Sequence, residues 1–183
     1  SPSQMLGVTS REARTSWFIG QDLGTATDYQ PFNAQKLFRF IGRGHGEWLN
    51  KNVKISIENI RKSNSSATDY GTFSIVLRMI SDNDNNVQVI ERFDKCTLNP
   101  ASPDFIGRKV GDQYYAWSES ERRLKLYGEY PNQSKYVYAD VNSDVEAGAS
   151  GLEALLPFGY YGPPKMADVR LMITGGLASA TLN

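Results

Sequence analysis

One cysteine and one histidine are all that the 183-residue sequence holds of the two residue types that dominate zinc sites and nucleophile–base pairs. With Cys96 alone, no internal disulfide can form, so a disulfide-stapled secreted scaffold is excluded and a reducing compartment is compatible. A metal site built from several His or Cys ligands is excluded as well. Any Ser–His–Asp or Cys–His system would have to use His45, which lies between Gly44 and Gly46 and is expected on an exposed turn. No serine stands in a nucleophile-elbow pattern. Cys96, within Phe93-Asp94-Lys95-Cys96-Thr97-Leu98, reads as a small hydrophobe at a half-buried strand end. An excess of one charge is missing too. Twenty Lys+Arg balance twenty Asp+Glu, leaving no net field to attract nucleic acid or an anionic membrane. Arg11, Arg14, Arg39 and Arg43 are scattered and read as partners for acidic groups elsewhere. No apolar run approaches the length that spans a bilayer, and neither heptads nor internal repeats are present. The start, Ser1-Pro2-Ser3-Gln4, shows no basic segment followed by an apolar one and no initiator Met. The end, Thr181-Leu182-Asn183, has no terminating pattern, and we expect a piece of a longer protein.

What is present is a core. Apolar residues make up 40% of the chain, enough for one packed domain. The ten tyrosines suit both sheet and contact surfaces. Asn33 to Phe40 reads as a weak strand or edge segment leading into a glycine turn at Gly42-Arg43-Gly44-His45-Gly46. Val53, Ile55 and Ile57 alternate with Lys54, Ser56 and Glu58, the period of a strand with one wet face. Phe73, Ile75, Leu77 and Met79 predict a second strand, and Val87, Val89 and Glu91 a third running towards Phe93. The polar loop Lys62 to Ser66 and the turn cluster Ser81 to Asn86 separate them, which predicts an antiparallel meander. Ser102 as N-cap, Pro103 in first helical position and Asp104 at the positive end predict a short helix, with Phe105, Ile106 and Val110 facing the core and Gly111 closing it. Arg123 to Tyr127 and Lys135 to Tyr138 read as two more strands separated by a turn over 128–134. Ala147 to Gly151 is expected as a linker or exposed loop, Gly159 to Pro164 as a rigid turn, and Val169 to Ile173 as a final strand. The class is α+β, an antiparallel β-sheet-dominated domain with a few short helices.

Candidate chemistry is sparse. Asp82-Asn83-Asp84-Asn85-Asn86 has the look of a calcium loop's start but lacks the glycine at its sixth position and the glutamate at its twelfth, so it reads as a solvated hairpin turn. Glu119 and Glu121 are spaced as a glycosidase-like pair could be, yet lie in a polar run beside Arg122 and Arg123 and read as a solvated charged face. Gly42, Gly44 and Gly46 are alternate glycines without a strand–turn–helix context, and no phosphate-loop motif exists.

Five segments carry a resemblance. Gly46-Glu47-Trp48-Leu49-Asn50-Lys51-Asn52-Val53-Lys54-Ile55-Ser56-Ile57 resembles the Gly-x-Trp-Gly-Asn segment that opens a strand in contractile phage (myovirus) tail sheath proteins. Tyr70 to Arg78, Val87 to Leu98, Asn99 to Ile106 and Asn132 to Val137 are similar, in the same order, to the segments that follow in that family, and Gly175-Gly176 is similar to a later Gly-Gly turn. Leu49, Lys95 and the polar stretch from Gln113 to Tyr130 depart from the family pattern. The resemblance implies a division into an N-terminal segment over 1–45, a sheath-like α+β core over 46–140, and a loop-rich C-terminal segment over 141–183. It implies a structural subunit, not an enzyme, with no cofactor and with other sheath subunits, tail tube and baseplate proteins as partners. Neither nucleic acid nor membrane is expected as a partner. The sheath forms in the bacterial cytoplasm and works on the virion, and subunit interfaces that switch between two lattices drive contraction. Strands donated by terminal extensions tie neighbours together in the family, so this piece alone is expected to be monomeric. Lys54, Glu58, Arg78 and the loop around Arg122 and Arg123 are the candidate contact residues; no catalytic, cofactor-binding or metal-binding residue is assigned. The alternatives are another virion component (tube, baseplate or capsid-decorating domain) or a carbohydrate-active enzyme using Glu119 or Asp104.

Overall fold

The computed structural model describes residues 12–20, 24–25, 28–29, 34–44, 46–148 and 156–157. His45, Arg11, residues 149–151, the turn at 159–164, the strand expected at 169–173 and Gly175-Gly176 lie outside them. In chain order the elements are β1 (Phe18–Ile19), β2 (Gly24–Thr25), β3 (Asp28–Tyr29), β4 (Lys36–Gly42), α1 (Gly46–Asn52), β5 (Val53–Arg61), β6 (Thr72–Met79) and β7 (Val89–Cys96). They continue as α2 (Ile106–Val110), β8 (Tyr114–Ser118), β9 (Arg123–Tyr127), β10 (Val137–Val141) and α3 (Ser143–Glu146). Strands dominate, all pairings between them are antiparallel, and the helices are short, as α+β requires.

The predicted meander is present as β5-β6-β7. Ile55 stands opposite Leu77 and Ile57 opposite Ile75, so the alternating apolar positions share one face. That face supplies Phe73, Ile75 and Leu77 to the core, with Val53, Ile55, Ile57 and Phe93 packed around them. The central strand β6 is buried on its other face too, where Ser74, Val76 and Arg78 lie. The outer strand β5 is irregular between Glu58 and Arg61, with Asn59 at φ 51°, a break of the kind that discourages pairing along an exposed edge.

The second sheet has the order β1-β4-β10. The expected edge segment at Asn33 to Phe40 is instead its middle strand. Leu37 and Phe38 are fully buried and Phe40 and Ile41 nearly so; a strand apolar on both faces must be covered on both, which an edge would not allow. The strand expected at Lys135 begins at Val137 and pairs not with β9 but with β4, Val141 lying opposite Phe38. The two sheets meet at Phe38, whose ring stacks on Phe73 at 5.8 Å and 2° and lies 5.1 Å from Phe18. Leu98, Ile106, Val110 and Val145 complete the core.

The helix expected to begin at Pro103, behind an N-cap at Ser102, starts three residues later, at Ile106. Phe105 forms a parallel bridge to Thr97, with Thr97 N–H donating to the Asp104 carbonyl and Ile106 N–H to the Thr97 carbonyl, so these residues are held extended. Ser102 caps a turn instead, its Oγ accepting from Asp104 N–H at 3.1 Å. Phe105, Ile106 and Val110 are buried as predicted, and Gly111 has positive φ (94°). Two helices were not anticipated. In α1 an i,i+4 Glu47–Lys51 pair lies on the surface and Trp48 stacks on Tyr136; α3 is capped by Asn142 Oδ1, which accepts from Asp144 N–H.

Candidate functional site

Two surfaces concentrate polar or unpartnered side chains. The first is the outer face of the meander. Arg78, a candidate contact residue that would have to reach the surface, is only 6% exposed, because β6 is the central strand and its neighbours close over it. Its Nε donates to Asp82 Oδ2 at 2.7 Å, and its terminal nitrogens lie 3.3 Å from Asp84 and 3.8 Å from Glu58. Asp82, expected in a solvated turn, has a fully buried side chain. Gln88 N–H also donates to its Oδ2, while Oδ1 has the Lys54 ammonium 2.5 Å away. Glu58 Oε2 lies 3.4 Å from Arg92, which binds Asp94, itself the acceptor of Ser74 Oγ–H. Sequence-predicted Lys54, Glu58 and Arg78 therefore belong to one ionic network that lies over the sheet, with its charges paired within the chain.

The hydrogen bond from Arg78, followed by those from Lys54 and Gln88, holds Asp82 far below the ordinary carboxylate range despite desolvation. The Ser74 hydroxyl, then Arg92, shifts Asp94 the same way. For such depressed groups the stabilisation is complete above the unfolded value and is lost as pH falls through the folded one. Asp112 and Glu146, raised by burial, act oppositely, and acidification relieves them. Thermal melts followed by circular dichroism should thus show little loss between neutrality and mild acid, then a steep fall below about pH 4. Asp82→Asn should be less stable at neutral pH, because Arg78 loses its buried anion, and should flatten the acid limb.

Among the described residues no catalytic constellation accompanies this network. Cys96 is fully buried rather than half-buried, and burial pushes its thiol up to about 12. Glu121 is held by Arg123 and Lys125 while Glu119 lies exposed in the turn, so the two do not converge in a cleft. Asp104 is 3.4 Å from Lys109. Of the scattered arginines, Arg14 pairs with Glu12 and Arg39 with Asp140, while Arg43 donates to the Ser134 carbonyl. Among the described residues no group of three His, Cys, Asp or Glu side chains could hold a metal ion. No helix among them is long and apolar enough to cross a membrane.

The second surface is the β8–β9 hairpin, unanticipated as a unit. Tyr115 stands opposite Leu126 and Trp117 opposite Leu124. Alternation puts these four on one face of the ribbon, where they are 72%, 44%, 55% and 64% exposed. The strand charges are all on the other face, where Arg123 and Lys125 pair with Glu121 and Lys125 lies over the Tyr127 ring. Tyr114 on that face stacks on Tyr127 and on Tyr138 of β10. The root is fixed by the backbone: Asp112 Oδ1 accepts from Glu129 and Tyr130 N–H, and Asn132 Nδ2 donates to the Gln113 carbonyl.

Set against known proteins, the chain matches no protein-family model, no curated protein and no solved structure.

Proposed function

We propose that the chain is a structural subunit of a contractile phage tail sheath, polymerising helically around the tail tube and contracting to drive the tube through the host envelope. One observation supports this reading above the others. The five sequence segments that resemble sheath proteins supply α1, the three-strand meander, the approach to α2 and the start of β10, and their apolar residues meet in one core containing Leu77, Leu98, Ile106 and Val137, with Ile55 packed against it. The stretch that departs from the family pattern, Gln113 to Tyr130, is largely the hairpin that projects from that core. On this reading the chain is not an enzyme and needs no cofactor. Its partners are other sheath subunits, the tail tube and the baseplate, and it resides on the virion after assembly in the bacterial cytoplasm.

Negative-stain electron microscopy is the direct test, applied to a longer protein carrying this sequence and its flanking extensions at high concentration. Hollow helical tubes wide enough to enclose a tail tube are expected, with the 183-residue chain alone forming none. Dispersed particles across a range of salt and protein concentrations would overturn the sheath reading in favour of a baseplate component or an enzyme.

A further inference from the structure

We infer that the outward face of the β8–β9 hairpin binds the same face of a second copy of this chain. Four large apolar side chains in one contiguous patch, with no charge among them, are more than scattered surface hydrophobes. A nucleic acid or a charged peptide would find nothing to pair with there, since the strand charges, Arg123 and Lys125, lie on the opposite face against Glu121. A copy of the face, by contrast, complements it. Rotation about a two-fold axis parallel to the strands sets β8 of each copy over β9 of the other, two ribbons stacked about 10 Å apart. Because Tyr115 is level with Leu126 and Trp117 with Leu124, each aromatic ring then lies over a leucine of the other copy.

The turn adds charge complementarity. Glu119 leaves β8 and Arg122 enters β9, both exposed and neither with an ion pair among the described residues. The same rotation brings Glu119 of each copy against Arg122 of the other, giving two new ion pairs. Stacking with the strands antiparallel would instead put these charges over Gln113 and Gly128, which carry none. The chain's zero net charge leaves no long-range repulsion between copies. Burying four such side chains from each copy removes on the order of 1,000 Å² in total, the lower bound of a specific interface. The contact is therefore weak, and as a closed two-fold pairing it joins two copies without propagating a helix. It does not rest on the sheath reading: hairpin variants that still form tubes would remove this contact alone, and a chain that forms no tubes could still pair through it.

The test is a concentration series of the 183-residue chain, followed by two-dimensional amide NMR and translational diffusion. Between tens of micromolar and about a millimolar, diffusion should slow and resonances of Tyr115, Trp117, Leu124 and Leu126 should move together. Trp117→Ser with Leu124→Ser, both on the solvent face, should leave the melting curve unchanged and abolish the association. Arg122→Glu should weaken it several-fold, and Glu119→Arg with Arg122→Glu should restore it. Absence of association at the highest concentration, shifts that map elsewhere, or failure of the charge swap to rescue would overturn the proposal. Trp117-dependent sedimentation with lipid vesicles, without self-association, would also overturn it and assign the face to a membrane surface.

Discussion

Phe38→Ala is expected to lower folding stability by about 3–5 kcal/mol, measured by chemical denaturation. The ring is fully buried and lies at the junction of the two sheets, 5.8 Å from Phe73 and 5.5 Å from Phe40. Truncation removes the transfer free energy of the ring and leaves a cavity that neither sheet can close without moving the other. Each sheet is tied by its own ladder, so collapse around the void is limited. Against a domain stability of about 5–15 kcal/mol, such a loss takes the variant close to unfolding. Phe38→Leu, which retains most of the volume, should lose less than half as much. A cost below about 1 kcal/mol for the alanine variant would mean that the two sheets do not rely on this ring.

Gly111→Ala should be nearly as damaging, on the order of 3 kcal/mol, through the backbone rather than the core. Gly111 has φ 94°, and a Cβ there would lie 2.4 Å from Asn132 Cα and 2.6 Å from the Pro131 carbonyl oxygen. Backbone atoms cannot swing aside as the tip of a side chain can. Relieving the clash means moving the 131–132 segment, and with it the bond from Asn132 to Gln113 that holds the hairpin root. It also disturbs the Gly111 carbonyl, which accepts from Ala139 N–H of β10. Gly44→Ala is the control: nothing lies within 4 Å of its added Cβ, and its stability should be unchanged within about 0.5 kcal/mol. Equal losses for the two variants would show that a general glycine effect, and not the approach of residues 131–132, sets the cost.

Where period-2 alternation was uninterrupted, as from Val53 to Ile57 and from Phe73 to Met79, the sequence pattern located strands and their pairing through short polar loops. It failed where alternation was hidden. In Tyr114-Tyr115-Ala116-Trp117 both faces carry aromatics, so β8 showed no period, and its turn looked like a polar run. β4 looked like an edge because the strand that covers it lies far along the chain. Helix α1 is a single short element flanked by glycine and a strand, without an apolar repeat to mark it. The burial of Arg78 and Asp82 was illegible for a related reason: an alternating charge on a strand looks solvated until the strand is known to be central. The glycine with positive φ at the end of α2 was readable, because few other residues tolerate that backbone.

The pairing of β4 with β10 also dictates an order of events during synthesis. Arg39 and Asp140, bonded across the two strands, are 101 residues apart, so a ribosome adding about 5–20 residues per second makes β4 some 5–20 s before β10. The meander needs only local turns and can pair during that interval. Leu37, Phe38 and Phe40, by contrast, must wait with one flank of their strand unpaired. Closure of this sheet is accordingly a late step in making the domain, followed by the docking of Val145 and Leu156, and the nascent chain is most open to chaperones and to pairing with a neighbouring chain just before β10 emerges.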